Sequence, residues 1–253
     1  MGNKKRTKKI VIYIIYILTA LFFLYPLFWV LSLSLKTVPE LFQVPPKVLP
    51  KTFNIDNYIH VFENTLILTY LKNTLVLVFA TVVGTLVISI PAAYAFSRYR
   101  FKQKDNMMFG VLIFQMMSPL VIAIPLYSYL ATLGLLNNVW IIMAVYIALR
   151  VPFTTWYLKG YMDTIPISMD EAARVDGCSR AKTIISIILP VAVPGVISAV
   201  ILNAMSAWSQ FIIPFILMDK SDMLPLSVGI ANLKSSAGGG ITTHYLAAAC
   251  VVS

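Results

Sequence analysis

Residues 171–190, EAARVDGCSRAKTIISIILP, set Glu171, Arg174, Asp176, Arg180 and Lys182 close together between two strongly apolar segments. The set has charges but no paired nucleophile and base, so the chemistry open to it is ionic docking rather than bond cleavage. Locally, IPISMDEAARVDG reads as a helix with both ends specified. Pro166 blocks extension upstream. Ser168 and Glu171 fit the S-x-x-E capping box, and Asp170 and Glu171 sit at the positive end of the helix dipole. Gly177 stands where a left-handed C-terminal cap is wanted. The helix would be about two turns, ~12 Å long at 1.5 Å per residue, and marginal alone in water. Ala172 and Ala173 add a small-residue patch on which another backbone can seat. Ser179 is placed to start a second helix that enters the next apolar run. The stretch therefore reads either as a mechanical link hinged at Gly177 or as a well-capped solvated loop.

Other chemistry-bearing residues are sparse. Arg150, in ALRVPF, is the one charge deep in an apolar segment. Unless it faces protein or water, such an arginine costs about 2.5–3.5 kcal/mol. It either lines a path, pairs with another subunit, or snorkels from a span with a shifted boundary. Asn203, Ser206, Trp208, Ser209 and Gln210 form a polar and aromatic set that could meet a sugar or serve as an interfacial aromatic belt. The two cysteines, Cys178 and Cys250, have no metal spacing and no disulfide framework. The two histidines, His60 and His244, fall outside the apolar cores, so a haem or metal enzyme is disfavoured. No G-x-x-x-x-G-K-[ST] phosphate loop occurs. No Asp or Glu falls inside an apolar run, which argues against an ion-coupled secondary carrier. A membrane enzyme would need a clustered nucleophile or base, and none is found.

The elements that must position these residues are membrane spans. The 253 residues are 59% hydrophobic and 12% charged, against roughly 25% charged in soluble domains, with a mean hydropathy of +0.82. The net charge of +10 does not signal nucleic acid, because the basic residues flank apolar runs. The expected architecture is an all-α polytopic membrane protein with six spans: about 10–34, 75–96, 107–130, 139–158, 184–207 and 244–253. The sixth is too short to cross, so a missing C-terminal part is expected. Pro26, Pro119, Pro125, Pro190 and Pro194 fall inside runs and imply bent helices. Lys and Arg number five in the tail (residues 1–9), four in 97–106 and four in 159–183, against six in the alternate loops. By the positive-inside rule the N-terminus, the 97–106 loop and the 165–183 segment are cytoplasmic. The external segments are a proline-rich 37–74, with a short helix opening in NIDNY, and 219–243, which carries SSAGGG at 235–240. That glycine-rich tip is either a contact for an external protein or a flexible loop.

The spacing E-A-A, three residues, Gly177, nine residues, Ile187, one residue, Leu189-Pro190 resembles the EAA motif of permease subunits of binding-protein-dependent ABC importers. NTLVLVFATVVGTLVISIPAAYAFSRYRFK, SPLVIAIPLYSYLATLGLLNN and SAWSQFIIPFILMDKSDMLPLSVGIANL resemble its carbohydrate branch, in particular the second permease of maltose-type transporters. Ile184 stands where that branch usually has Phe. The resemblance implies a type I importer permease fold in a bacterial or archaeal cytoplasmic membrane, half of a pore for sugars or another small solute. It implies a related permease partner, two ATPase subunits that hold ATP and Mg, and an extracellular or periplasmic sugar-binding protein. It also implies that 168–180 is a coupling helix, with Glu171, Ala172, Ala173, Asp176, Gly177, Leu189 and Pro190 as ATPase-coupling residues. Arg150, Asn203, Trp208 and Gln210 are then candidates for the substrate path. No cofactor, catalytic residue or metal is expected in this chain, and its other contact is membrane lipid.

Overall fold

The computed structural model describes residues 2–236 and 243–253, without the side chains of residues 2–7 and 234–236. Residues 237–240 of the glycine-rich tip lie outside the described residues. The elements are α1 (Gly2–Ser34), α2 (Val38–Leu41), α3 (Asp56–Asn64), α4 (Ile67–Arg98), α5 (Lys104–Met116), α6 (Pro119–Thr132), α7 (Val139–Met162), α8 (Ser168–Val175), α9 (Arg180–Thr183), α10 (Leu189–Trp208), α11 (Ile212–Leu217), α12 (Leu226–Ser236) and α13 (Thr243–Val252). No strand occurs among the described residues. Lys8–Ser34, Ile67–Arg98, Val139–Met162 and Arg180–Trp208 are each long and apolar enough to cross a membrane.

The expected third span is not one helix. It is the pair α5 and α6, bent by 86° at Met117–Ser118. The cause is local: a residue before proline is pushed out of the α region, and Ser118 ahead of Pro119 takes φ −64°, ψ 134°. Pro125, nearly two turns inside α6, leaves that helix unbroken. The expected second span also starts earlier, at Ile67. Asn73 and Thr74, just ahead of the expected start at 75, are helical residues that serve tertiary contacts. Asn73 Nδ2 donates to the carbonyls of Asp222 (2.9 Å) and Leu224 (3.1 Å), and Thr74 Oγ1 accepts from the Leu226 amide at 2.8 Å. The sixth segment is the ten-residue α13.

The chain divides into two units. The first comprises Met1–Leu68 and Gly229–Ser253. Here α1 is apolar on every side from Ile10 onward and uncovered by protein along its most hydrophobic stretch, the pattern of a helix solvated by lipid. Beyond α1, Asn57 Nδ2 donates to the carbonyls of Ser34 (2.8 Å) and Lys36 (3.0 Å), and Ser34 Oγ meets Tyr58 Oη at 2.6 Å. The rings of His60 and His244 both lie against Tyr245, at 4.1 and 4.0 Å between centroids.

The second unit is Thr69–Val228. Its core joins Ala93 and Tyr94 of α4, Leu158 and Met162 of α7, Ile165, and Ile188, Ala192 and Ala199 at and along α10. Small residues let α10 close on α7. A Cβ on Gly195 would fall 2.5 Å from the Tyr161 ring, so only glycine fits that approach. Asn138 caps α7, its Oδ1 accepting from the amides of Trp140 and Ile141.

Candidate functional site

The charged segment forms α8, ended by a full Schellman motif. The Cys178 amide donates to the Ala173 carbonyl at 2.9 Å and the Gly177 amide to that of Arg174 at 3.1 Å. This 6→1 and 5→2 pair requires a left-handed residue at the turn, and Gly177 has φ +73°. Ser179 then caps α9, its Oγ accepting from the Lys182 amide.

The N-terminus differs from the expected capping box. The helix residue before Ser168, Ile167, is already α-helical, and no side chain caps the first turn. The Met169 amide bonds the Pro166 carbonyl, and those of Asp170 and Glu171 bond Ile167. With these amides satisfied by backbone carbonyls, Ser168 has no donor to cap. Asp170 likewise serves more than the helix dipole. Its Oδ2 lies 2.8 Å from Arg98 Nε, with side chains only 4% and 6% exposed, and its Oδ1 accepts from Tyr94 Oη at 2.6 Å. Arg98 Nη2 donates onward to the Ile165 carbonyl at 3.0 Å.

The end of α4 holds this segment at two further points. Ser97 Oγ donates to Asp163 Oδ1 at 2.7 Å, while Lys159 pairs with Asp163 Oδ2 at 2.8 Å. Partial desolvation raises the Asp163 pKa, but the hydrogen bonds from Lys159 and Ser97 outweigh it and hold the carboxyl below its ordinary value. Arg180 donates to Tyr99 Oη and lies over that ring, 4.8 Å from its centroid. So α8 is clamped to α4 through the buried Arg98–Asp170 pair and joined by chain to α10.

These contacts sort the residues of the EAA stretch. Ala173 is 1% exposed and packs inside the chain, so it cannot form an outward seat, contrary to the sequence reading. Glu171, Ala172, Asp176 and Gly177 are exposed, together with Val175 at 88% and Ile167 at 57%. This outer ridge mixes two carboxylates, two small residues and two aliphatic side chains. Between α9 and α10, Ile184–Ile188 form a π-helical turn, in which the Leu189 amide bonds the Ile184 carbonyl. Pro190 explains it. Proline has no N–H and its ring crowds the carbonyl four residues back, which widening the turn relieves. Leu189 is half-buried and Pro190 exposed at this junction.

Within the membrane, Arg150, Asn203 and Thr154 form a cluster between α7 and α10. Arg150 Nε donates to Asn203 Oδ1 at 3.1 Å, and Asn203 Nδ2 donates to the Ala199 carbonyl at 2.8 Å and lies 3.0 Å from Thr154 Oγ1. Asn203 is fully buried, so it orients Arg150 rather than facing a path. A cavity of about 160 Å³ opens beside the guanidinium, lined in part by Gln115, Met117, Leu149, Arg150, Ser206 and Gln210. Arg150 and Gln210 are thus brought together. Trp208 is not among the lining residues, because it falls on a different face of the last turn of α10. Sequence reasoning missed Gln115 and Thr154, whose signal was a polar side chain in an apolar run. It also missed the Arg98–Asp170 pair, whose signal was a charge at the very end of an apolar helix.

Comparison with known proteins gives a consistent picture. Residues 84–253 match the family described as "Binding-protein-dependent transport system inner membrane component". The probable ABC transporter permease protein YurM of Bacillus subtilis (strain 168) is 31% identical over 212 residues, 84% of this chain and 70% of the relative. The galactooligosaccharides transport system permease protein GanQ of the same organism is 29% identical over 245 residues, covering 95% of this chain and 86% of the relative. A chain in the crystal structure of a bacterial ABC transporter involved in the import of the acidic polysaccharide alginate superposes with a TM-score of 0.84 at 23% identity, covering 99% of this chain and 92% of that one.

Proposed function

The chain belongs to the family of binding-protein-dependent transport system inner membrane components, and we propose that it is the permease subunit of an ATP-driven importer of sugars, oligosaccharides in particular. Its fold is the type I ABC importer permease fold, and its function is exerted with other ABC components and a binding protein. In this reading it forms half of the translocation pathway beside a related but distinct permease. Two cytoplasmic ATPase subunits hold ATP and Mg and perform the hydrolysis, so the chain itself is no enzyme. A sugar-binding protein delivers the substrate from outside. The N-terminus and the 165–183 segment are cytoplasmic, as their lysines and arginines require.

One observation carries the coupling role: α8 turns Glu171, Ala172 and Val175 outward while Asp170 ties its inner face to Arg98 on α4. A push on the outer ridge therefore reaches α4 through the ion pair and α10 through Gly177, α9 and the turn before Leu189-Pro190. The name of GanQ, which specifies galactooligosaccharides, supports the sugar assignment. Arg150 and Gln210 would line the substrate path, with Asn203 holding Arg150 in place.

The test is uptake of labelled oligosaccharides by cells carrying the full transporter, with ATPase activity measured on the purified complex. Glu171→Lys is expected to lower uptake at least tenfold and to abolish stimulation of the ATPase by loaded binding protein. Unchanged uptake in that variant would overturn the coupling role. No oligosaccharide uptake by the wild type would overturn the sugar assignment.

A further inference from the structure

The guanidinium of Arg150 stands near the middle of the 24-residue α7, where an uncompensated charge is costly. No counter-charge pairs with it among the described residues. None of the ten acidic residues lies in the four spanning helices, and in the bent pair only Asp105 occurs, in the first turn of α5. Among the described residues no carboxylate comes within ion-pair distance of Arg150.

The guanidinium is nonetheless held for use. Nε is committed to Asn203 Oδ1 at 3.1 Å, and the group lies over the Phe153 ring, 5.2 Å from its centroid. Both Nη atoms are left without a partner among the described residues. Arg150 shares the lining of the cavity with Gln115, Ser206 and Gln210. The bend between α5 and α6 borders this space, since Gln115 comes from α5, Met117 from the break itself and Pro119 from the start of α6. A carboxylate supplied by a partner subunit would account for Arg150, but not for three neutral hydrogen-bonding residues lining the same cavity. A ligand with both hydroxyls and a negative charge accounts for all four.

We propose that this cavity recognises a sugar bearing a carboxylate, with Arg150 gripping the acid group and Gln115, Ser206 and Gln210 binding hydroxyls. The proposal rests on the reading of the chain as a sugar permease and names the substrate class of that site. The planar fork of arginine matches a carboxylate in two parallel hydrogen bonds, each stronger than a bond between neutral groups. A neutral sugar would leave the charge uncompensated.

The experiment compares uptake of two labelled disaccharides, one ending in glucuronic acid and one in glucose, by the complete transporter. The wild type is expected to favour the acid. Arg150→Gln should reduce the acid-to-neutral uptake ratio at least tenfold, Arg150→Lys should keep part of it, and both should copurify with the other subunits. Because the binding protein is the same throughout, a change in the ratio reports on the permease. An unchanged ratio in Arg150→Gln, or a wild type that favours the neutral sugar, overturns the proposal while leaving the sugar reading intact. Loss of subunit copurification in Arg150→Gln, retained in Arg150→Lys, also overturns it by assigning the charge to a partner's carboxylate. If neither disaccharide is imported, the sugar reading fails and this proposal falls with it.

Discussion

Arg98 and Asp170 form an ion pair at 2.8 Å, with side chains 6% and 4% exposed, between the last turn of α4 and the first turn of α8. Removing one partner of such a buried pair leaves the other without compensation, at a cost of about 3–5 kcal/mol. Replacing both by apolar groups is often tolerated. Asp170→Ala is therefore expected to lower the thermal midpoint of the detergent-solubilised complex markedly. Arg98→Met with Asp170→Leu should recover most of that loss while still slackening the link between α8 and α4. Equal destabilisation by the single and double variants would deny the pair its anchoring role.

Gly177 has φ +73° and open space around its Cα, so the obstacle to a side chain there is conformational, not steric. A left-handed non-glycine residue costs about 1–2 kcal/mol, and asparagine less than a β-branched residue. The expected order of uptake is wild type, then Gly177→Asn, then Gly177→Val, with ATPase activity less affected than uptake. An equal response to Asn and Val would remove the left-handed turn from the explanation.

Ser168 and Ser179 provide a contrast within one segment. Loss of a serine cap costs about 0.5–2 kcal/mol. Ser179 caps α9, whereas no side chain caps α8. Ser179→Ala should lower thermal stability by an amount in that range, and Ser168→Ala should leave it nearly unchanged. The two melting curves, recorded side by side, decide the matter.

Asp163 supplies a pH dependence. Its carboxyl is held below its ordinary pKa, so in the folded chain it stays ionised at a pH where the unfolded chain would bind a proton. Stability from this group is present in full above the unfolded value and is lost as pH falls through the lower folded value. The difference in thermal midpoint between wild type and Asp163→Asn should be present at pH 7 and fade in acid. A difference that persists unchanged to low pH would point to packing and not to charge.

The legible part of this fold was whatever leaves a periodic or compositional trace. Apolar runs marked the spans, and Gly177 and Ser179 marked the ends of neighbouring helices because their conformations are set by a few adjacent residues. Contacts between distant segments left no such trace. Asp170 looked like a helix-dipole acid and Arg98 like a topology charge, since sequence alone cannot say that they meet. Ala173 and Ala172 looked equivalent until packing turned one inward. Pro119 and Pro125 were equal candidates for a break, and that the chain bends only at the first, by 86°, depends on how α5 and α6 pack. Trp208 was grouped with Asn203 and Gln210 by proximity in sequence, where helical phase separates them.

Phase is also the lasting consequence of the π-helical turn at Ile184–Ile188. Each residue advances an α-helix by about 100°, and a π turn accommodates one more residue than the α spacing allows. The turn thus sets the rotational register between the outward ridge of α8 and the inward stripe of Ala192, Gly195, Ala199 and Asn203, all buried along α10. Deleting one residue there would regularise the helix and swing one of those two faces by roughly a quarter turn. Either Asn203 would leave Arg150, or Glu171 would no longer face outward. Five isoleucine-rich residues ahead of a proline keep both ends of this lever correctly indexed.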